Sequence, residues 1–545
     1  MISSVYSYLF SRNQPPSQET SVRAFSTDNP IMAPEVVDSF HPRLKTIFHQ
    51  LDAIAPRFVL NKGDINIITA PDEFYSALKA KIVAANHRVF LSTLYIGKHQ
   101  VELVDCIDSA LSKNENLKVY ILADALRGTR EAPEAPCSAS LLVPLVEKHG
   151  KHRVDIRMYH TPHLSGFTKH LAPKRINEGW GLQHMKLYGF DDEVMLSGAN
   201  LSQDYFTDRQ DRYYVFKNKS LTDYYFRIQL AVSSLSYQIL PSTKLVQGFR
   251  LTWPTSNKSC EPHMNLHRFL SDSSYLLTPL LKQHQLSAFD EFTDTDNFDT
   301  IVYPISQFSP LFPAQHDRST EKPAILRLLS FLDTSSIKWW FTAGYFNMLP
   351  QIQERLINGK APGTVITASP KANSFYKSAG VSYYLPEAYL LFAKKFLEEV
   401  YKVGKSSLIQ VYEWQNGIVN TAGGWSYHAK GLWITVPEDE EPSITVIGSS
   451  NYTKRAYSLD LESNAIIITK DPELKQAMKA EIENLMKHVT RMDLNDFKPK
   501  PKKVAEIPIG DNAGEVEDNV VYEVDEDRKI SYGVHLAVKL LGGKL

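Results

Sequence analysis

Cysteine is scarce in this 545-residue chain, which has only Cys106, Cys137 and Cys260. Three widely spaced thiols with no CxxC pair argue against a disulfide framework and a cysteine-rich zinc site. Charge of one sign is lacking too: 60 Lys and Arg against 61 Asp and Glu leave a net charge of −1, so no global basic field favours nucleic acid. Long apolar runs are missing as well. None reaches the roughly 18 to 20 residues needed to span a bilayer, so any contact with lipid is expected from the surface. What is present, 43% hydrophobic and 22% charged residues, is an ordinary globular composition with room for two large domains or one two-lobed domain.

The ends differ from the middle. Residues 1–35 are rich in Ser with Tyr, Leu and Phe, carry Arg12 with no acid before Glu19, and contain Arg23-Ala24-Phe25-Ser26. This resembles a mitochondrial presequence, while Pro15-Pro16 interrupts the helix pattern and a disordered N-terminus fits the composition nearly as well. Residues 496–545 run from the basic Lys498-Pro499-Lys500-Pro501-Lys502-Lys503 through an acidic stretch, 515–527, to an apolar and basic end. Such a charge pattern reads as a solvated C-terminal tail.

In the first lobe, 36–247, helical spacing over 73–85, 101–111 and 141–148 alternates with strand runs at 88–97, 117–124 and 154–159. A second lobe, 324–495, repeats the order with helices at 325–332 and 389–403 and strands at 338–347, 363–368 and 407–412. Residues 248–323 show weak periodicity and many turn residues, with a strand pattern only at 300–305, and read as a connecting segment or an elaboration. The expected fold is α/β: two duplicated lobes, each a mixed, largely parallel sheet flanked by helices, packed to form one shared cleft.

Each lobe also repeats one chemical pattern. His184 and Lys186 lie two apart in a β-rich stretch that turns at Asp191-Asp192 and returns to Gly198-Ala199-Asn200. Two-residue spacing on a strand would point the imidazole and the ammonium to one face, with Asn200 returning beside them. A lone His-x-Lys is usually a solvated face. This one recurs as His428 and Lys430, with a return strand ending at Asn451. A neutral imidazole that attacks phosphorus, with Lys and Asn donors on the oxygens, suits a phosphate diester. Asp211 and Glu462 each fall 11 residues after the motif Asn, a placement suited to orienting a catalytic His.

The doubled His-x-Lys with Gly198-Ala199-Asn200 and Gly448-Ser449-Ser450-Asn451 resembles the signature of the phospholipase D superfamily, over roughly residues 60–490. One departure stands out: the superfamily's motif Asp, matched by Asp191, would fall at Thr435 in the second half, where the turn is also longer. Within the superfamily the likeness is to the eukaryotic mitochondrial phosphatidylglycerophosphate synthases. It rests on Leu94-Tyr95-Ile96-Gly97, Ala123-Asp124-Ala125-Leu126-Arg127-Gly128-Thr129-Arg130, the block from Gln183 to Tyr213, and Tyr427-His428-Ala429-Lys430-Gly431-Leu432-Trp433.

The resemblance implies transfer of the phosphatidyl group of CDP-diacylglycerol to glycerol-3-phosphate through a phosphatidyl-histidine intermediate. His184, Lys186, Asp191, His428 and Lys430 would be catalytic, with His184 the nucleophile because its half keeps the whole motif. Asn200 and Asn451 would bind phosphate. The acceptor's own phosphate needs further cations, for which Arg127, Arg130, Arg209 and Arg212 are candidates. No metal cluster or cofactor motif is evident, so turnover is expected to survive a chelator. The implied location is mitochondrial, peripheral to the inner membrane, and nucleic acid is not an expected partner. Serine, phosphatidylglycerol or water as acceptor are the alternatives, with a nuclease less favoured.

Overall fold

The structure is a computed structural model that describes residues 39–164, 177–282, 298–503 and 520–541. The presequence-like residues 1–35 lie outside the described residues. The strands in chain order are β1 (Phe58–Asn61), β2 (Ile65–Ile68), β3 (Arg88–Ser92), β4 (Lys118–Asp124), β5 (Val154–Tyr159), β6 (Leu187–Phe190), β7 (Glu193–Ser197), β8 (Arg209–Gln210), β9 (Tyr213–Lys217), β10 (Tyr237–Pro241), β11 (Phe249–Thr252), β12 (Phe298–Gln307), β13 (Trp339–Ala343), β14 (Gly363–Ala368), β15 (Ile409–Trp414), β16 (Ser426–Tyr427), β17 (Lys430–Thr435), β18 (Pro442–Gly448), β19 (Glu462–Thr469) and β20 (Val489–Arg491). One sheet has the order β11-β10-β5-β4-β3-β6-β7-β9-β2 and the other β1-β12-β19-β18-β17-β13-β14-β15-β20.

The two sheets share a plan, as the internal repeat requires. Parallel β3, β4 and β5 correspond to parallel β13, β14 and β15. Each trio joins, antiparallel, a hairpin (β6–β7 or β17–β18) and then β9 or β19. Both sheets are therefore mixed, but "largely parallel" needs correction, because within them every other pairing is antiparallel. The motif hairpins enforce this, since a tight turn can join only antiparallel neighbours. Crossover helices follow the expected apolar spacing: Pro71–Ala84 buries Phe74, Leu78 and Ile82, and Leu385–Lys402 buries Leu390, Ala393, Phe396, Leu397 and Val400.

Sheet membership departs from the expected bounds. β1 lies early in the chain yet pairs with β12 at the edge of the second sheet, and β12, inside 248–323, is an interior strand between β1 and β19. Its ten residues are almost all buried, so the polar alternation that marks a half-exposed strand is missing. Helix Lys219–Ser233 is likewise buried on most sides, with only the narrow row Lys219, Asp223 and Arg227, four residues apart, as its polar side. Its Tyr224, Tyr225 and Ile228 sit in one apolar core with Leu187 and Leu196 of the first sheet and Trp433, Ile447 and Ile467 of the second, which joins the lobes.

The described part of 496–545 corrects the solvated-tail reading. Lys500–Lys503 and Val520–Glu523 form an antiparallel ribbon. Helix Tyr532–Leu541 then sets Val534 and Val538, one turn apart, against Ala388 and Leu391 of helix Leu385–Lys402. Lys371 pairs with Asp527 at 2.5 Å and Arg528 with Glu413, so the segment is docked on the second lobe.

Candidate active site

The motif histidines stand just before the hairpin strands, which corrects their placement on them: β6 opens at Leu187 and β17 at Lys430. The backbone there pairs with the opposite lobe instead. His184 N–H donates to Leu461 O (2.9 Å) and Leu461 N–H to Leu182 O (2.8 Å). His428 N–H donates to Gln210 O (2.9 Å), continuing the parallel pairing of β16 with β8.

Each ring meets a carboxylate of the other lobe. His184 Nδ1 lies 2.9 Å from Glu462 Oε1, and His428 Nδ1 2.6 Å from Asp211 Oδ2. Such a bond fixes the tautomer that leaves Nε2 for chemistry. Ser449 donates its hydroxyl to Glu462 Oε2. Lys186 Nζ donates to His184 O (2.7 Å) and Lys430 Nζ to His428 O (3.0 Å), so each lysine folds back beneath its own histidine. Gly198 makes room for this meeting: a Cβ there would stand 2.5 Å from Asp211 Oδ1 and 2.6 Å from Lys430 Nζ.

All six side chains are buried or nearly so. Burial, then the adjacent lysine, holds each imidazole well below the ordinary histidine range, the neutral form a nucleophile needs. Burial also lowers Lys186 to about 7 and Lys430 to about 8, lifts Glu462 to about 7 and pushes Asp211 above the usual carboxylate range. A pocket in which burial opposes every charge is ready for an anion that restores the ammonium groups.

Asn200 donates from Nδ2 to Tyr205 OH (3.1 Å), and its Oδ1, like that of Asn451, is buried without a hydrogen-bond partner among the described residues. Tyr205 OH reaches His428 Nε2 at 3.3 Å. The rings of Tyr205 and Tyr345 meet His428 edge-on at centroid distances of 5.1 and 5.4 Å. These two tyrosines were not among the sequence candidates. The signal for Tyr345 was its Gly344-Tyr345 setting, which matches Tyr95-Ile96-Gly97 in the first half.

Asp191 is not brought to the cleft. It sits at the hairpin tip with φ 48° and accepts from the backbone N–H of Asn86 (2.7 Å), His87 (2.8 Å) and Arg88 (2.9 Å) at the start of β3. Thr435 does the matching work in the second half: its Oγ1 accepts from Lys338 N–H (2.9 Å) and its own N–H donates to Lys338 O (2.9 Å), just ahead of β13. The missing motif Asp is thus a substituted structural contact.

The arginines divide. Arg212 is withdrawn from acceptor binding: it is fully buried, forms a bidentate pair with Glu481 (2.8 and 3.0 Å), donates to Val446 O (2.6 Å) and Lys430 O (3.2 Å), and stacks on Trp433 at 3.9 Å. It passes so close to Gly431 that a Cβ there would lie 1.8 Å from its Nη1. Arg209 pairs with Asp204 (2.5 Å), donates to Ser426 Oγ (3.0 Å) and lies over the Tyr205 ring, beside His428. Arg127 lies over Tyr95 at 3.9 Å and lines a neighbouring cavity. Arg130 is half-buried and does not line that cavity. Among the described residues no group of three or more His, Cys, Asp or Glu side chains is arranged to hold a metal.

No protein-family model matches the chain. A CDP-diacylglycerol–glycerol-3-phosphate 3-phosphatidyltransferase of Saccharomyces cerevisiae is 48% identical over 517 residues, 94% of this chain and 92% of the relative. The Schizosaccharomyces pombe protein of that name is 41% identical, over 84% of this chain and 95% of its own length. The human one, named as mitochondrial, is 32% identical over 80% of both. Among solved structures, phosphatidylserine synthase of Haemophilus influenzae superposes with a TM-score of 0.59 at 18% identity, over 83% of this chain and 92% of that one, a likeness of fold.

Proposed function

The chain belongs to the family of CDP-diacylglycerol–glycerol-3-phosphate 3-phosphatidyltransferases, and from that membership we infer that it transfers the phosphatidyl group of CDP-diacylglycerol to glycerol-3-phosphate, yielding phosphatidylglycerophosphate and CMP. The observation that carries the mechanism is the crossed pairing of each histidine with a carboxylate of the other lobe, over two buried lysines.

His184 is the nucleophile: its Nδ1 is bound to Glu462, while Nε2 makes no hydrogen bond among the described residues. Nε2 attacks the lipid-side phosphorus, the bond to CMP breaks, and phosphatidyl-histidine remains. His428, with Tyr205 on Nε2 and Asp211 on Nδ1, gives the departing CMP a proton that it takes up with the anionic substrate. It then removes the proton of the primary hydroxyl of glycerol-3-phosphate, which attacks phosphorus and releases His184. Lys186, Lys430, Asn200 and Asn451 stabilise the charge on the oxygens in flight, and Asp211 and Glu462 are positioning residues.

The donor is a lipid, and no helix among the described residues is long and apolar enough to cross a membrane. This supports work from a bilayer surface, and the name of the human relative supports a mitochondrial site; we place the protein peripherally on the inner membrane. Carbonate extraction of purified mitochondria should release it, and retention in the pellet would count against that placement.

The test of function is an acceptor panel in mixed micelles with labelled CDP-diacylglycerol and glycerol-3-phosphate, serine, phosphatidylglycerol or water, run beside His184→Ala. Product should form with glycerol-3-phosphate alone and vanish in the variant. Turnover with another acceptor would reassign the activity; an active variant would refute the site.

A further inference from the structure

Beside the catalytic cluster lies a cavity of about 240 Å³, walled by the loop after β3 (Tyr95, Lys98, His99), by Arg127 and by the segment after Asn200 (Ser202, Asp204). We propose that Lys98 and His99, together with Arg127, form the subsite that binds the phosphate of the acceptor. The proposal rests on the transferase reading and adds to it the groups that select a phosphorylated acceptor.

Three observations converge. The first is connection. Tyr95 OH is 3.2 Å from Ser202 Oγ, and Tyr205, next in the chain to Asp204, carries the hydroxyl that reaches His428 Nε2. The cavity wall formed by Ser202 and Asp204 thus continues directly into Tyr205, whose hydroxyl meets His428, the base that takes the acceptor's proton.

The second is charge. Lys98 and His99 are exposed at the mouth and make no hydrogen bond or ion pair among the described residues. Two acids line the cavity, but Asp204 is already held by Arg209 at 2.5 Å, and Glu131 faces Arg127 at 3.6 Å. With Arg127 facing Glu131 and Arg209 facing Asp204, the uncompensated charge is that of Lys98, and Lys98, His99 and Arg127 together offer the several N–H donors that a phosphate prefers. The third is size. The cavity falls below the roughly 300 Å³ at which sites for drug-sized ligands begin, so it fits a three-carbon phosphate better than a cytidine nucleotide.

The test compares full-length wild type, Lys98→Ala/His99→Ala and Lys98→Arg, with glycerol-3-phosphate and CDP-diacylglycerol varied separately and glycerol as a phosphate-free acceptor. Both altered residues are exposed, so the fold should survive. In the double variant KM for glycerol-3-phosphate should rise on the order of tenfold or more, as expected for lost hydrogen bonds between charged groups. The change in kcat should be much smaller, KM for CDP-diacylglycerol should stay within twofold, and the rate with glycerol should equal that of wild type. Lys98→Arg, which keeps the charge, should remain near wild type. An unchanged KM for glycerol-3-phosphate would overturn the proposal. A rise confined to CDP-diacylglycerol would also overturn it, by giving these two side chains to the donor's diphosphate. Wild type that makes no product from glycerol-3-phosphate would instead overturn the transferase reading on which the subsite rests.

Discussion

Arg212→Met should loosen the joint between the lobes rather than weaken an acceptor contact. The guanidinium is spent on Glu481, two carbonyls, Thr445 Oγ1 (2.9 Å) and Tyr214 OH (3.1 Å). Removing one partner of a buried pair costs about 3 to 5 kcal/mol, because the other charge stays buried and unpaired. Glu481 keeps Trp433 Nε1 (3.0 Å) and Tyr214 OH (2.7 Å) as donors, which favours the lower end for that term. The orphaned carbonyls of Val446 and Lys430 add about 1 kcal/mol each. At roughly 2 °C or less per kcal/mol in a chain this long, the apparent Tm at one scan rate should fall by about 5 to 10 °C. Arg212→Met/Glu481→Leu, which removes both charges, should recover much of the loss. A single variant that melts like wild type but shows a raised KM for glycerol-3-phosphate would refute the reasoning and return Arg212 to the acceptor.

Glu321 is fully buried, and burial followed by nearby Glu462 raises it from 4.5 to about 8. Its folded pKa exceeds the unfolded one, so its stabilising contribution is complete below about pH 4.5 and is lost as pH rises through 8. Glu321→Gln should therefore melt progressively higher than wild type between pH 5 and 8, by up to a few kcal/mol, and parallel curves would sink this account. For activity, burial leaves Lys186 near 7 and Lys430 near 8 in the free protein. Accordingly kcat/KM for CDP-diacylglycerol should fall above about pH 7 to 8 while kcat holds to higher pH; coincident profiles would contradict it. Asp191→Asn tolerates the positive φ but weakens the acceptor of three backbone N–H groups, so it should lower the Tm and keep most of kcat. A thousandfold loss of kcat at unchanged Tm would make Asp191 catalytic after all.

The duplication was legible because pattern and chemistry repeat together: strands 154–159 and 363–368 and the crossover helices announce themselves by period, and the His-x-Lys pairs by recurrence. Elements buried on nearly all sides were less legible: only 300–305 of β12 showed as a strand pattern, and helix Lys219–Ser233, whose polar side is just the narrow row Lys219, Asp223 and Arg227, was not picked out. Arg212 and Arg209 look alike in sequence, three residues apart. Only the sheet decides that one turns into the joint and the other lies over Tyr205 beside His428.

The crossed carboxylates show what a repeat can and cannot specify. Equal offsets from Asn200 and Asn451 mark Asp211 and Glu462 as equivalent, yet leave open which ring each one serves. Backbone pairing across the lobes settles it. Once His428 N–H bonds to Gln210 O, the next residue, Asp211, brings its carboxylate to that imidazole; once His184 N–H bonds to Leu461 O, Glu462 does the same. One operation, applied twice about the axis of the duplication, builds both pairs, so neither lobe holds an oriented histidine by itself. Arg212 acts on the same seam, binding the carbonyl of Lys430 from the opposite lobe. Chemistry and lobe docking thus depend on the same few backbone contacts, and a change that opens the seam removes the tautomer control of both histidines together.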